Sequence, residues 1–319
     1  MLKTLSKNDH TAILNLWNSC LPDLQLTDRL LEQNTWQSPF VLQEGSAVKE
    51  QDGQIVGVVI AKMWHDTHGI TLNKAHGWIQ MLVVHPDYRR QKIATELYEY
   101  AERALTERGV TKIQLGGDVG HLVCGVPLAE QAGVEFAQAK GFKRLVESVD
   151  FIKNVTAPFT LPINEQAEFV LLKQEEQQAF LAFIEKAFPG RWTFEAHDYF
   201  AQGGTGRDYV VVKWAGEIVG FCRINDEHSA WKGPNYNWAE QFEQLGGIGP
   251  LGIAESYRKY GLGRAVVEAA EYYLQQRGKQ TLFIDWTDLI IFYEKLGYNV
   301  WKNYGIYVKQ VAECVDTKR

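Results

Sequence analysis

No apolar run in this 319-residue chain approaches the length of a bilayer-spanning helix. The first residues, Met1-Leu2-Lys3-Thr4-Leu5-Ser6, lack the apolar core of a secretory signal. A cytoplasmic protein without a membrane partner is therefore expected. An excess of positive charge is also missing: 33 Lys and Arg stand against 39 Asp and Glu, for a formal net charge of -6. Neutralising phosphates needs a basic surface, so nucleic acid is not the expected partner. Cysteine is scarce. Cys20, Cys124, Cys222 and Cys314 form no CxxC pair and fall in no His/Cys spacing suited to zinc. The expectation is reduced thiols and no metal.

What is present is an ordinary globular composition, 45% hydrophobic and 23% charged, on a chain long enough for two domains. The chain also repeats itself, with three pairs of segments recurring in the same order. Gly53-Gln54-Ile55-Val56-Gly57 matches Gly216-Glu217-Ile218-Val219-Gly220, each read as a hairpin turn entering a strand. Leu82-Val83-Val84-His85-Pro86-Asp87-Tyr88-Arg89 matches Leu251-Gly252-Ile253-Ala254-Glu255-Ser256-Tyr257-Arg258, with Tyr-Arg in register. Phe136-Ala137-Gln138-Ala139-Lys140-Gly141-Phe142 matches Phe292-Tyr293-Glu294-Lys295-Leu296-Gly297-Tyr298, a helix closed by glycine before an aromatic. The Pro158- and Pro162-bearing stretch 154–166 separates the copies, giving domains at 1–155 and 165–319. In the second copy, strands are expected near 208–213, 217–224, 247–253 and 280–286. Helices are expected near 175–187, 261–277 and 287–296. Leu262, Val266, Ala269 and Tyr273 mark one face of the middle helix. The fold class is α/β (α+β), with a mixed sheet flanked by helices in each copy.

Arg258-Lys259-Tyr260-Gly261-Leu262-Gly263-Arg264 lies between a strand and a helix. A helix start offers unpaired N–H groups and a positive dipole end. Glycines at 261 and 263 let a pyrophosphate come close, and Arg258, Lys259 and Arg264 add charge. This segment resembles the R-x-x-G-x-G motif of the GNAT acetyltransferase superfamily, and Phe292–Tyr298 resembles that family's late FYxKxGF helix. The resemblance covers most of 165–310, and extends less specifically to the first copy. In layout the chain is similar to tandem proteins of the mycothiol synthase type.

The resemblance implies a splayed mixed sheet holding acetyl-CoA, a cosubstrate, between its fourth and fifth strands. Pantetheine would lie along the backbone of Leu251, Gly252 and Ile253, with phosphates on the turn that carries Tyr260 and Leu262. Tyr293 is implied as the proton donor to the leaving thiolate. The base is open among Asp285, Glu255, Glu240 and Glu243; for Asp285 a helix N-cap is an equal alternative. The implied reaction is direct acetyl transfer to a primary amine of a small molecule.

The first copy departs from the pattern. Lys92 stands where Gly261 stands, and Ala137 where Tyr293 stands, so this copy reads as degenerate. Its Gly-rich stretch 116–127 is either a ligand cover or a plain connection. His121 and Cys124 within it are not read as a nucleophile and base, because no third orienting group accompanies them. In the second copy, the stretch 225–244 carries Trp231, Tyr236, Trp238 and Phe242 among carboxylates. It suits a cationic or amino-sugar ligand, or simple packing. Two other readings compete: a non-catalytic acetyl-CoA-binding module, and a tRNA-dependent aminoacyl transferase, which the acidity disfavours. A monomer or homodimer is expected.

Overall fold

The computed structural model describes residues 1–311; Cys314 lies outside them. Two compact units form. Unit 1 contains residues 1–65, 73–148 and 302–311, and unit 2 contains 66–72 and 149–301. These are not the contiguous halves 1–155 and 165–319, and the difference lies in the last strand of each copy.

In unit 1, strands β1 (Leu2–Thr4), β2 (Ala47–Gln51), β3 (Gln54–Met63), β4 (His76–Val84) and β5 (Lys112–Leu115) lie side by side. The short β6 (Val126–Pro127) precedes β7 (Lys143–Asn154). Unit 2 contributes β8 (Ala167–Leu171), β9 (Tyr209–Trp214), β10 (Glu217–Asn225), β11 (Leu245–Ile253) and β12 (Thr281–Thr287) in order. The final strand is β13 (Asn299–Gln310). Within unit 2, β12 is continued by the end of β7, with Thr281 opposite Asn154 and Ile284 opposite Phe151. Within unit 1, β5 is continued by β13, with Tyr307 opposite Leu115. Each sheet is thus completed by the last strand of the other copy. Residues 66–72, between β3 and β4, likewise belong to unit 2, where His68 lies 3.7 Å from Asp198.

The repeat is visible in backbone angles. Asp52 and Gly53 take φ of 52° and 78°, and Ala215 and Gly216 take 50° and 85°. These two-residue loops close hairpins whose twist calls for positive φ at both central positions. Each unit has one parallel pair, β4 with β5 and β11 with β12. The crossover helices are α3 (Ile93–Glu107) and α7 (Leu262–Gln276). Leu262, Val266, Ala269 and Ala270 are fully buried against the unit 2 sheet, as the helical spacing predicts. Tyr273 is half-buried, and its hydroxyl donates to the Phe169 carbonyl at 3.1 Å. On α3, Leu97, Tyr98, Ala101 and Leu105 do the same for unit 1.

Helices α1 (His10–Cys20), α2 (Asp28–Leu31) and α4 (Gln131–Ala139) belong to unit 1, and α5 (Gln177–Ala187), α6 (Arg191–Ala201) and α8 (Ile290–Glu294) to unit 2. Helix α8 is shorter than the expected 287–296. The Thr287 hydroxyl accepts the Leu289 N–H at 3.1 Å and holds the preceding residues in a turn.

Candidate active site

Both parallel ladders stop early. The β11–β12 ladder ends at Ile248 opposite Ile284, and the β4–β5 ladder ends at Ile79 opposite Leu115. Beyond these points each sheet opens into a V. In unit 2, Leu251, Gly252 and Ile253 still pair with β10 but have passed the end of the β12 ladder. Their outer backbone edge faces the opening, where an extended ligand can add its own hydrogen bonds.

The turn at the mouth of this V has the expected form. Gly261 takes φ 73° and ψ 6° immediately before Leu262, the first residue of α7. A Cβ at Gly261 or Gly263 would meet nothing within 4 Å, so the helix start is open to an approaching anion. Arg258, Lys259, Tyr260 and Arg264 are exposed around it, and Leu262 points into the core. Two of the cations have additional partners. Arg258 donates its Nε to the Ile253 carbonyl at 3.1 Å, bracing the turn onto the strand end. Arg264 is paired with Glu268 one turn along the helix, at 2.8 Å. Tyr260 packs on Trp214 with ring centroids 4.8 Å apart.

Tyr293 and Asp285 lie on consecutive elements of unit 2, and the Asp285 charge acts on the Tyr293 phenol. Tyr293 is buried on α8. Burial, then the neighbouring Cys222 thiol, then the Asp285 carboxylate hold its phenol well above the ordinary range. It therefore stays protonated at neutral pH and suits a proton donor. Asp285 lies in a bulge at the end of β12, where Ile284 faces Phe151 but Thr287 faces Val149. The bulge forces Trp286 to φ 44°, fixed by its N–H donating to Asp150 at 3.0 Å and by Arg191 lying 5.1 Å from its ring centroid. The N-cap alternative for Asp285 is overturned, since Leu289 occupies that position on α8. Glu255, Glu240 and Glu243 are all exposed.

Gly252 has a second role that the sequence did not reveal. A Cβ there would lie 2.5 Å from the Phe188 ring, so this glycine also makes room for an aromatic on the opposite face of the sheet. Gly252→Ala is expected to lower stability by about 1–3 kcal/mol through overpacking, measured as a fall in the urea midpoint. An unchanged midpoint would show that Phe188 moves aside freely.

The aromatics of 225–244 are used inside unit 2. Tyr236 and Trp238 are buried, and Phe242 packs on Phe283 and Trp301. Trp231 covers the guanidinium of buried Arg223 at 4.6 Å, with Tyr199 and Tyr209 on its other sides. Packing, rather than an open ligand-binding face, explains this set.

Unit 1 holds a cleft of about 540 Å³ at its own V, lined by Leu82, Val83, Val123, Val126 and Phe136, with Arg89, Arg90 and Lys92 at the mouth. Lys92 takes φ 65° and ψ 8°, almost the angles of Gly261. The turn keeps its backbone form with the lysine in place, although a left-handed lysine costs about 1–2 kcal/mol. Arg89 braces the turn as Arg258 does, its Nε donating to the Val84 carbonyl at 3.2 Å. The 116–127 stretch forms one wall of the cleft. Ala137 is buried in the core of unit 1, so no phenol is supplied from that position.

Among the described residues, Cys20, Cys124 and Cys222 are buried and form no disulfide, and no group of three or more His, Cys, Asp or Glu could hold a metal. Among the same residues no helix is long and apolar enough to cross a membrane.

The model of the acetyltransferase (GNAT) family matches residues 10–122 and 177–298. Mycothiol acetyltransferases of Renibacterium salmoninarum and Thermobispora bispora are each 27% identical, over 71% and 69% of this chain. The matches cover 65% and 72% of those proteins, so the chain spans under two thirds of the first. Among solved structures, one similar region is described as a GCN5-related glucosamine N-acetyltransferase region of a fungal multi-domain GH3 β-N-acetylglucosaminidase. Its TM-score is 0.86 at 22% identity, over 97% of this chain and 38% of that one. A GCN5-related N-acetyltransferase from Sphaerobacter thermophilus has a TM-score of 0.72 at 14% identity, over 97% of this chain and 95% of that one. A tandem GNAT protein from the clavulanic acid biosynthesis pathway has 0.67 at 13%, over 97% and 98%. At these identities the structural likeness is one of fold, and it runs through both copies.

Proposed function

The chain belongs to the acetyltransferase (GNAT) family, and on that premise we propose that it transfers the acetyl group of acetyl-CoA to a primary amine of a small molecule, with the reacting centre in unit 2. The observation that supports this reading is an open glycine turn following a β11 edge that has passed the end of the β12 ladder, with the buried phenol of Tyr293 in the same unit. Acetyl-CoA supplies the acetyl group as an activated thioester. The N-terminus of α7, opened by Gly261 and Gly263, receives the pyrophosphate. The edge of Leu251, Gly252 and Ile253 aligns the pantetheine and offers N–H groups to the developing oxyanion. Asp285 takes the proton from the attacking amine, directly or through a water, and Tyr293 gives one to the departing sulfur. An amino sugar is the first acceptor to try, since one structural neighbour is described as acting on glucosamine.

A second reading concerns unit 1. Its cleft has an apolar body and carries Arg89, Arg90 and Lys92 at a helix start, with Arg90 paired to Glu135, which suits a CoA-class molecule, while Ala137 leaves out the proton donor. Unit 1 on this reading binds without turning its ligand over.

The test is a calorimetric titration of acetyl-CoA, paired with a free-thiol assay on glucosamine. Gly261→Glu should abolish thiol release, and Ala94→Glu, at the unit 1 turn, should spare it. The reverse pattern would move the chemistry to unit 1, and no thiol release with any amine would leave two binding modules.

A further inference from the structure

Unit 1 carries one polar side chain that its own structure leaves unsatisfied beside the cleft. Between β3 and β4 the register slips: Ile60 faces Met81, whereas Ala61 faces Ile79. Gln80 is therefore the extra residue of a β-bulge, placed directly after the last pair of the β4–β5 ladder. It lines the cleft and is only 2% exposed, and among the described residues neither Oε1 nor Nε2 has a hydrogen-bond partner. A buried amide with both ends unsatisfied is costly and uncommon. Polar side chains on the two strands beside β4 direct their bonds elsewhere. Gln114 donates to the Gly116 carbonyl at 3.2 Å, and Lys62 is paired with Asp118 at 2.7 Å.

The fold does not require this amide. In unit 2 the residue after the last ladder pair is Gly249, at φ 109°, with open space where a Cβ would stand. The unpaired glutamine thus belongs to unit 1 alone, at the inner end of a cleft whose mouth is basic and whose walls are apolar.

We propose that Gln80 is a specificity-determining residue that donates its Nε2–H to the thioester carbonyl of an acyl-CoA seated in unit 1. The proposal rests on the reading of unit 1 as a CoA-class site. A ligand with its phosphates at Arg89, Arg90 and Lys92 runs its pantetheine along the apolar walls and brings its sulfur end to the V. There a carbonyl oxygen satisfies the amide donor. The thiol of free CoA is a weak acceptor and does so poorly. With alanine at 137, no phenol from that position protonates the sulfur. Unit 1 then distinguishes acylated from free CoA without consuming it.

The experiment titrates acetyl-CoA and free CoA into the full chain carrying Gly261→Glu, which removes the unit 2 site. Hydrogen-exchange protection of residues 79–95 locates binding in unit 1. With Gln80 present, acetyl-CoA is expected to bind about tenfold tighter than CoA, the size of one net hydrogen bond. Gln80→Leu, and Gln80→Met, which keeps the length of the side chain but has no donor, should bring acetyl-CoA down to the affinity of CoA. Equal affinities with Gln80 intact would overturn the role of Gln80 and leave the CoA reading standing. Absence of protection at 79–95 by either ligand would overturn both.

Discussion

Tyr293→Phe is expected to lower kcat for amine acetylation by about a hundredfold, the lower end of what positioned acid–base groups contribute. The KM for acetyl-CoA should hardly change. The substitution removes one oxygen from a ring packed on Phe151, Phe292 and Tyr298, and the ring itself keeps its place. Burial keeps the phenol protonated, so its proton is available throughout the neutral range. Steady-state thiol release separates the two parameters. If kcat is retained, the sulfur leaves without help from Tyr293 and the phenol is only a core residue. If KM rises and kcat stays, Tyr293 shapes the cleft instead of donating a proton.

The second large effect is on stability. The Asp226 side chain is 1% exposed and its two oxygens take four hydrogen bonds. Oδ1 accepts from Arg207 at 3.0 Å and from the His228 N–H at 2.9 Å. Oδ2 accepts from Arg207 at 2.8 Å and from Arg277 at 2.9 Å. Ser229, bonded to the Asp226 N–H, reaches Asp208 at 3.0 Å. The group ties the start of β9 and the end of β10 to the C-terminus of α7. Burial by itself would raise the Asp226 pKa, but Arg207, the His228 N–H and Arg277 outweigh it and bring it down to about 2. An unfolded aspartate titrates near 3.9. The carboxylate therefore contributes its full stabilisation above about pH 4, and loses it as pH falls from there through 2. The amount at stake is about 2 kcal/mol.

Asp226→Ala leaves two guanidinium groups without their shared partner and is expected to cost about 3 kcal/mol at neutral pH. Urea unfolding checks both statements. The wild-type midpoint should fall more steeply than the variant's between pH 4 and 2. Equal midpoints at pH 7, or parallel pH profiles, would show that the network contributes little.

The second copy was legible in the sequence because its devices are local. Gly261 is needed where the backbone turns left-handed, and the Leu262, Val266 and Ala269 face follows from helical geometry. The choice of Tyr293 as a site candidate followed only from family resemblance, since its helix lies apart from β11 and the glycine turn in the sequence. Lys92 takes almost the backbone angles of Gly261. A non-glycine residue can adopt positive φ at a modest cost when its side chain is exposed, so the first turn kept its geometry.

By itself the sequence determined the repeat, the hairpins, the two crossover helices and the glycine turn, since each is set by residues within a few positions of one another. Only the tertiary structure decided which sheet β7 and β13 complete, because both copies end on a similar strand and pairing is chosen by contacts far away in the chain. It also decided that Gly252 accommodates Phe188 and that Gln80, among the described residues, is left without a partner beside a cleft. Burial and hydrogen-bond satisfaction are properties of the packed chain, and no spacing of residues in the sequence encodes them.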